Sequence, residues 1–248
     1  MAIISESGHT KNVTNLESLI TAIKTYGASY NPSKASIKIP ALQALLTAAN
    51  ESLSELNDAQ SVYSNSVAVR EYAFQPFSKL ITRTGNSLKA TDAIAQVNDS
   101  AKTIIRKLQG RRAGTKLTDE EIKALEAEGK EVNQISVSQM GYDTRLYNFD
   151  KLISLLKTVP EYNPNEEELK TDSLKLYHTE LKAKNDNVVT ASSQLDLARN
   201  NRNEILYKPL TGLVDVATDA KTYVKSVFGA SSPQYRQISR LSFKQRTI

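Results

Sequence analysis

One stretch of this chain is written twice, and that constrains its fold more than any other feature. Residues 19–32 read LITAIKTYGASYNP, and residues 152–165 read LISLLKTVPEYNPN. Leu19/Leu152, Ile20/Ile153, Lys24/Lys157 and Thr25/Thr158 match directly. After a one-residue gap so do Tyr30/Tyr162, Asn31/Asn163 and Pro32/Pro164. Weaker matches follow in the same order: Leu42/Leu174, Ala59/Ala191, Arg70/Arg202 and Pro76/Pro209. Further on, AKTIIRKLQG (101–110) lies against AKTYVKSVFG (220–229), and Gln134-Ile135-Ser136 against Gln237-Ile238-Ser239. The expectation is an all-α protein, an elongated antiparallel helical bundle built from two tandem three-helix repeats. Residues 1–13 are then an N-terminal tail, 14–146 the first repeat, 147–232 the second, and 233–248 a basic C-terminal tail.

Each repeat reads as helix A, a YNP turn, a long helix B and a returning helix C. Helix A spans about 14–26 and 147–159, with Leu16, Leu19, Ile20 and Ile23, or Phe149, Leu152, Ile153 and Leu156, at helical spacing. Proline disfavours helix in the residue before it, so YNP is read as the stop. Helix B of the second repeat is expected from about Pro164 to Tyr207, with Glu166, Glu167 and Glu168 on the positive end of its dipole, a rod of roughly 65 Å. In the first repeat it begins near Pro40, entered by an extended Ile37–Ile39. Leu42, Leu45, Ala49, Leu56, Ala59 and Tyr63, and in the other copy Leu174, Tyr177, Leu181, Val188, Ala191 and Leu195, make a 3-4 seam for packing side by side. Helix C follows Pro76 or Pro209. In the first repeat it is longer by about 14 residues and leads into an insertion at 111–131, where Thr118 and Glu121 fit the capping box of a short helix over about 118–128.

Few Gly and Pro, and no cysteine, favour helix and remove disulfides, thiolate metal sites and cysteine nucleophiles. No apolar stretch approaches the roughly 20 residues that span a bilayer, and the N-terminus has no signal-peptide core. A soluble, cytoplasmic protein is expected, with export by a route needing no cleavable signal left open. The net charge of +5 does not by itself indicate nucleic acid.

The materials for catalysis are sparse. Of the two histidines, His9 falls in the N-terminal tail and His178 within helix B, where Leu46 fills the matching slot. His178 is read as a half-buried packing residue. No catalytic residue, metal site or cofactor is assigned. Arg106, Lys107, Arg111, Arg112 and Lys116 form a candidate anion patch, whose plain alternative is cations at a helix C-terminus. Arg70 and Arg202 fall on the seam, where a guanidinium needs a partner, and Asp215 is placed opposite Arg202 as a structural ion pair. The C-terminal tail carries Arg236, Arg240, Lys244 and Arg246 with no acid, beside apolar Ile238, Leu241 and Phe243. It is a candidate connector to another copy or to an acidic partner; the alternative is that it folds back on its own bundle.

The shared landmarks YNP, the arginine slot, AKT before Gly and QIS, with VKSVFGA, SPQY and YNPNE in the second half, resemble uncharacterised all-helical proteins of Bacteroidota. The resemblance implies a duplicated helical fold and no activity. The chain is therefore expected to be a non-enzymatic structural or interaction protein, a helical scaffold able to self-associate. The alternatives are a soluble component of an α-helical pore-forming toxin system and a basic nucleic-acid-associated helical protein. The expected partner is protein, itself included; no small-molecule substrate is identified, and nucleic acid is the weaker choice.

Overall fold

A computed structural model describes residues 7–111, 120, 123, 124, 127 and 140–246, and the regular structure among them is helical throughout. The elements are α1 (Ser7–Lys24), α2 (Ile39–Phe74), α3 (Phe77–Lys89), α4 (Ala95–Leu108), α5 (Tyr142–Lys157), α6 (Thr171–Tyr207), α7 (Leu213–Phe228) and α8 (Pro233–Ser239). No helix among the described residues is long and apolar enough to cross a membrane. Most of the 118–128 segment, and Gln134–Ser136, lie outside the described residues.

The chain divides into two compact units that cut across the sequence halves. The first holds 1–64 and 191–248, and the second holds 65–190. The first unit thus takes α1 and most of α2 from the first half, and the end of α6 with α7 and α8 from the second. The second unit takes the end of α2 with α3 and α4 from the first half, and α5 with the start of α6 from the second. Each long helix passes from one unit into the other. Each short leading helix packs on the closing helix of the opposite half, α1 against α7 and α5 against α4.

In the first unit, Leu16, Leu19, Ile23, Leu42, Leu206, Leu213, Ala217 and Val224 are fully buried in one cluster. In the second, Phe77 and Phe149 meet edge to face at 5.1 Å, surrounded by Ile81, Leu88, Leu152, Leu156, Leu174 and Leu181. The expected seam residues are buried at Leu42, Ala49, Leu56, Leu174, Leu181, Val188, Ala191 and Leu195, and half-buried at Leu45, Ala59, Tyr63 and Tyr177.

The turn from the short helix to the long one is built alike in both halves. Thr25 Oγ1 donates to the Ala22 carbonyl at 2.7 Å, and Thr158 Oγ1 to that of Leu155 at 2.7 Å, so the helix closes before the YNP sequence arrives. The Tyr30 hydroxyl then donates to the Ile37 carbonyl at 2.7 Å, and the Tyr162 hydroxyl to that of Leu169 at 2.8 Å. A 3-10 turn, Ala35–Ile37 or Glu167–Leu169, leads through an extended Lys38 or Lys170 (ψ 147 and 144) into the long helix.

Several sequence expectations are corrected. The second long helix starts at Thr171, with Asp172 in its first turn, and Glu166–Glu168 precede it. The buried Tyr162–Leu169 bond commits that stretch to a tight turn. Helix α1 begins at Ser7, so the residues from 7 to 13 are helical rather than a tail. The third helix of the first half is two helices, not one long one. Thr91 breaks it, its hydroxyl donating to the Leu88 carbonyl at 2.7 Å and accepting from the Ala93 N–H at 3.3 Å. Such local bonds compete with the helical ladder. Pro233 does not end the helical region but opens α8, where the Ser232 hydroxyl accepts from the Tyr235 N–H.

Two outcomes are expected. Tyr30 and Tyr162 are 6% exposed, and burial pushes the Tyr162 phenol up to about 12 and the Tyr30 phenol higher still. The folded state holds both neutral, so their contribution is intact below the ordinary value of 10.0 and is lost as pH rises towards about 12. Tyr30→Phe and Tyr162→Phe should each cost about 1–2 kcal/mol in urea unfolding at neutral pH and flatten the alkaline loss of stability. Leu210 is a non-glycine residue at φ 68 with its side chain 77% exposed. Leu210→Gly should therefore raise stability by about 0.5–1 kcal/mol in the same measurement.

Candidate functional site

A guanidinium on a packed seam needs partners, and the two arginine slots find different ones. In the second unit Arg70 Nη1 donates to Asn185 Oδ1 at 3.1 Å, and Asn185 Nδ2 donates to Asp143 Oδ1 at 2.8 Å. Asn185 is 3% exposed, so its amide relays between a cation and an anion away from water. The Arg70 guanidinium also lies 3.8 Å from the centre of the Tyr142 ring. Arg145 stacks over Phe77 and Phe74 at 4.6 and 4.9 Å, and burial lowers its pKa. The Nε atoms of both arginines are buried without a hydrogen bond. Aromatic faces thus supply part of what water would.

In the first unit Arg202, 6% exposed, donates from Nε and Nη2 to Asn203 Oδ1 at 3.2 and 2.9 Å. Asp215 instead accepts from the Leu210 N–H at 2.8 Å, just ahead of α7. The expected Arg202–Asp215 ion pair is not formed among the described residues. The turn after Pro209 needs an acceptor for its strained backbone, and Asp215 supplies it.

His9, expected in a tail, is 2% exposed within α1, its Nδ1 2.6 Å from the Tyr207 hydroxyl and its Nε2 3.2 Å from Arg246 Nη1. His178, expected half-buried, is buried, with its ring 5.9 Å from that of Phe149. Burial lowers its pKa, and the nearby Asp150 carboxylate opposes that shift.

The C-terminal tail folds back on the first unit. Ile238 is fully buried, and Leu241 and Phe243 pack on the same core. Asn12 clamps the extended backbone of Lys244, donating to its carbonyl at 3.0 Å and accepting its N–H at 3.1 Å. Asn15, one turn along α1, donates to the Ser242 carbonyl at 2.7 Å. Lys221 Nζ donates to the Leu241 carbonyl at 2.6 Å and that of Ser239 at 3.2 Å. The apolar residues offered to a partner are thus used within the chain. Arg236, in the last turn of α8, and Arg240 at its end are exposed. Sequence reasoning missed Asn12 and Asn15, although their spacing puts both amides on one helix face.

Of the anion patch, Arg106 and Lys107 occupy the last turn of α4, and Arg111 follows Gly110, whose φ of 65 ends the helix. Arg112 and Lys116 lie outside the described residues. Arg111 lines a cleft of about 490 Å³ between α3 and α4, together with Lys89, Lys102, Asn86, Asn98 and Gln109. A second groove, of about 740 Å³, runs where α2 ends beside the start of α6, lined by Val69, Tyr72, Ala73, Pro76, Tyr177 and, at its edge, Glu180 and Lys184. Among the described residues no group of His, Asp or Glu is placed to hold a metal ion. Comparison of the chain with family models, with curated proteins and with solved structures gives no match.

The Arg70–Asn185–Asp143 relay has a direct consequence. Asn185→Ala leaves a guanidinium and a carboxylate short of a partner, and should cost about 1–3 kcal/mol in urea unfolding followed by circular dichroism.

Proposed function

We propose that this chain is a non-enzymatic helical scaffold that works by binding protein, and that its partner is a second copy of itself. On this reading the chain is two tandem copies of a three-helix unit, the third helix being split into α3 and α4 in the first copy. Support comes from the matched Tyr30–Ile37 and Tyr162–Leu169 bonds and the matched 3-10 turns behind them. The observation that carries the binding role is Tyr72. Its ring is 74% exposed beside Val69, Ala73 and Pro76, in the groove of the second unit. Exposed aromatic side chains in apolar grooves are what protein interfaces select. The groove edge carries one acid and one base, Glu180 and Lys184, a turn apart on α6. A two-fold contact uses the same patch on both copies, so Glu180 of each copy would meet Lys184 of the other.

Sedimentation equilibrium of the full chain tests this. The expected result is a concentration-dependent dimer that Tyr72→Glu weakens at least tenfold without altering the helical circular dichroism. Glu180→Lys should weaken it, and adding Lys184→Glu should restore it. A monomer at every concentration, or a dimer indifferent to Tyr72→Glu, overturns the reading.

A further inference from the structure

The hairpin α3–α4 brings two lysines, Lys89 and Lys102, to the lining of one cleft. Gln109 Nε2 donates to Thr82 Oγ1 at 2.9 Å, and a Cβ on Gly85 would stand 2.6 Å from Ile105 Cδ1. Continuing this antiparallel register by one turn sets Lys89 across from Lys102, and both line the same cleft. Like charges on facing turns repel. Neither lysine forms a hydrogen bond or an ion pair among the described residues, and Asp99 is the one carboxylate in the lining. Behind them the floor is apolar, with Leu88 and Ala101 1% and 2% exposed and Ile105 half-buried.

The second half gives the contrast. Lys102 belongs to the AKT of residues 101–103, and Lys221 to the AKT of residues 220–222. Lys221 spends its charge on two carbonyls of its own chain, at 2.6 and 3.2 Å. Lys102 is exposed at the cleft, with Lys89 opposite and Arg111 also in the lining.

We propose that the α3–α4 cleft binds a small amphiphilic anion, a single carboxylate head on an unbranched apolar body. The head lies between Lys89 and Lys102, where an anion turns a mutual repulsion into two attractions. The body lies along Ile105, the half-buried apolar side chain of the lining, which still has surface to take out of water, with the buried Leu88 and Ala101 behind it. Asn86 and Asn98 supply amide donors beside the head, and Arg111 adds a third positive charge. The site is independent of the Tyr72 groove.

Isothermal titration of the full chain with sodium decanoate, below its micelle concentration, tests the assignment. One saturable site is expected, with decanol and inorganic phosphate each at least tenfold weaker, since each lacks half of the chemistry. Lys89→Glu and Lys102→Glu should each lower decanoate affinity at least tenfold at unchanged helical circular dichroism. Lys24→Glu, at the end of α1, should leave it unchanged. Ile105→Trp, which fills the floor, should abolish binding, and the charge variants decide should that variant fail to fold. No saturable binding, affinity indifferent to Lys102→Glu, or binding only to vesicles of anionic phospholipid and not to decanoate would overturn the proposal.

Discussion

The fold depends on one hydrogen bond made twice. A tyrosine hydroxyl reaches seven residues forward to a buried carbonyl, Tyr30 to Ile37 and Tyr162 to Leu169. A buried carbonyl left unpaired is costly, and a buried phenol equally so. By satisfying each other they fix the turn between the short helix and the long one. That turn joins α1 to α2 and α5 to α6, and each long helix has residues in both units. Here the Pro of YNP holds the loop extended, while the preceding Thr25 or Thr158 has already closed the short helix.

Much of this was legible in the sequence, and the failures share a cause. Apolar spacing reports which face of a helix is buried, so the seam from Leu174 through Leu195 and the short-helix positions Leu19, Ile20, Leu152 and Ile153 are where they were expected. Spacing does not report against what that face is buried. Helices in tandem order suggested one elongated bundle of two three-helix repeats, and the structure packs α1 on α7 and α5 on α4. An apolar stripe is satisfied equally by its own repeat or by the other.

The remaining misses come from single polar side chains acting on the backbone. Nothing in the periodicity marks Thr91 as the break between α3 and α4, because a threonine can sit in a helix as readily as end one. The tail was read from its charge and its apolar residues, whereas two asparagine amides of α1 decide where it lies. The arginine slots show the same division. That Arg70 needs a partner could be read from burial; that the partner is Asn185, with Asp143 behind it, could not.

The two units make different contacts at positions that the sequence matches pair. Where the second unit sets the Phe74 ring against Tyr142 at 4.8 Å, the first sets Tyr207 against His9 and adds a hydrogen bond of 2.6 Å. Both pairs join the end of a long helix to the start of a short one from the other half, so the joint is kept while its chemistry changes. The closing elements change more. The first unit closes with a single helix, α7, on which α8 and the clamped tail are packed. The second closes with a helical hairpin, in which Lys102 faces a cleft instead of a carbonyl. A core position can exchange one contact for another with little effect on its neighbours, because its volume and pairing are conserved. A cation turned from a carbonyl towards open space is a different kind of change: it gives up an internal bond and keeps its charge. At this matched AKT position the two halves differ in what their lysine touches.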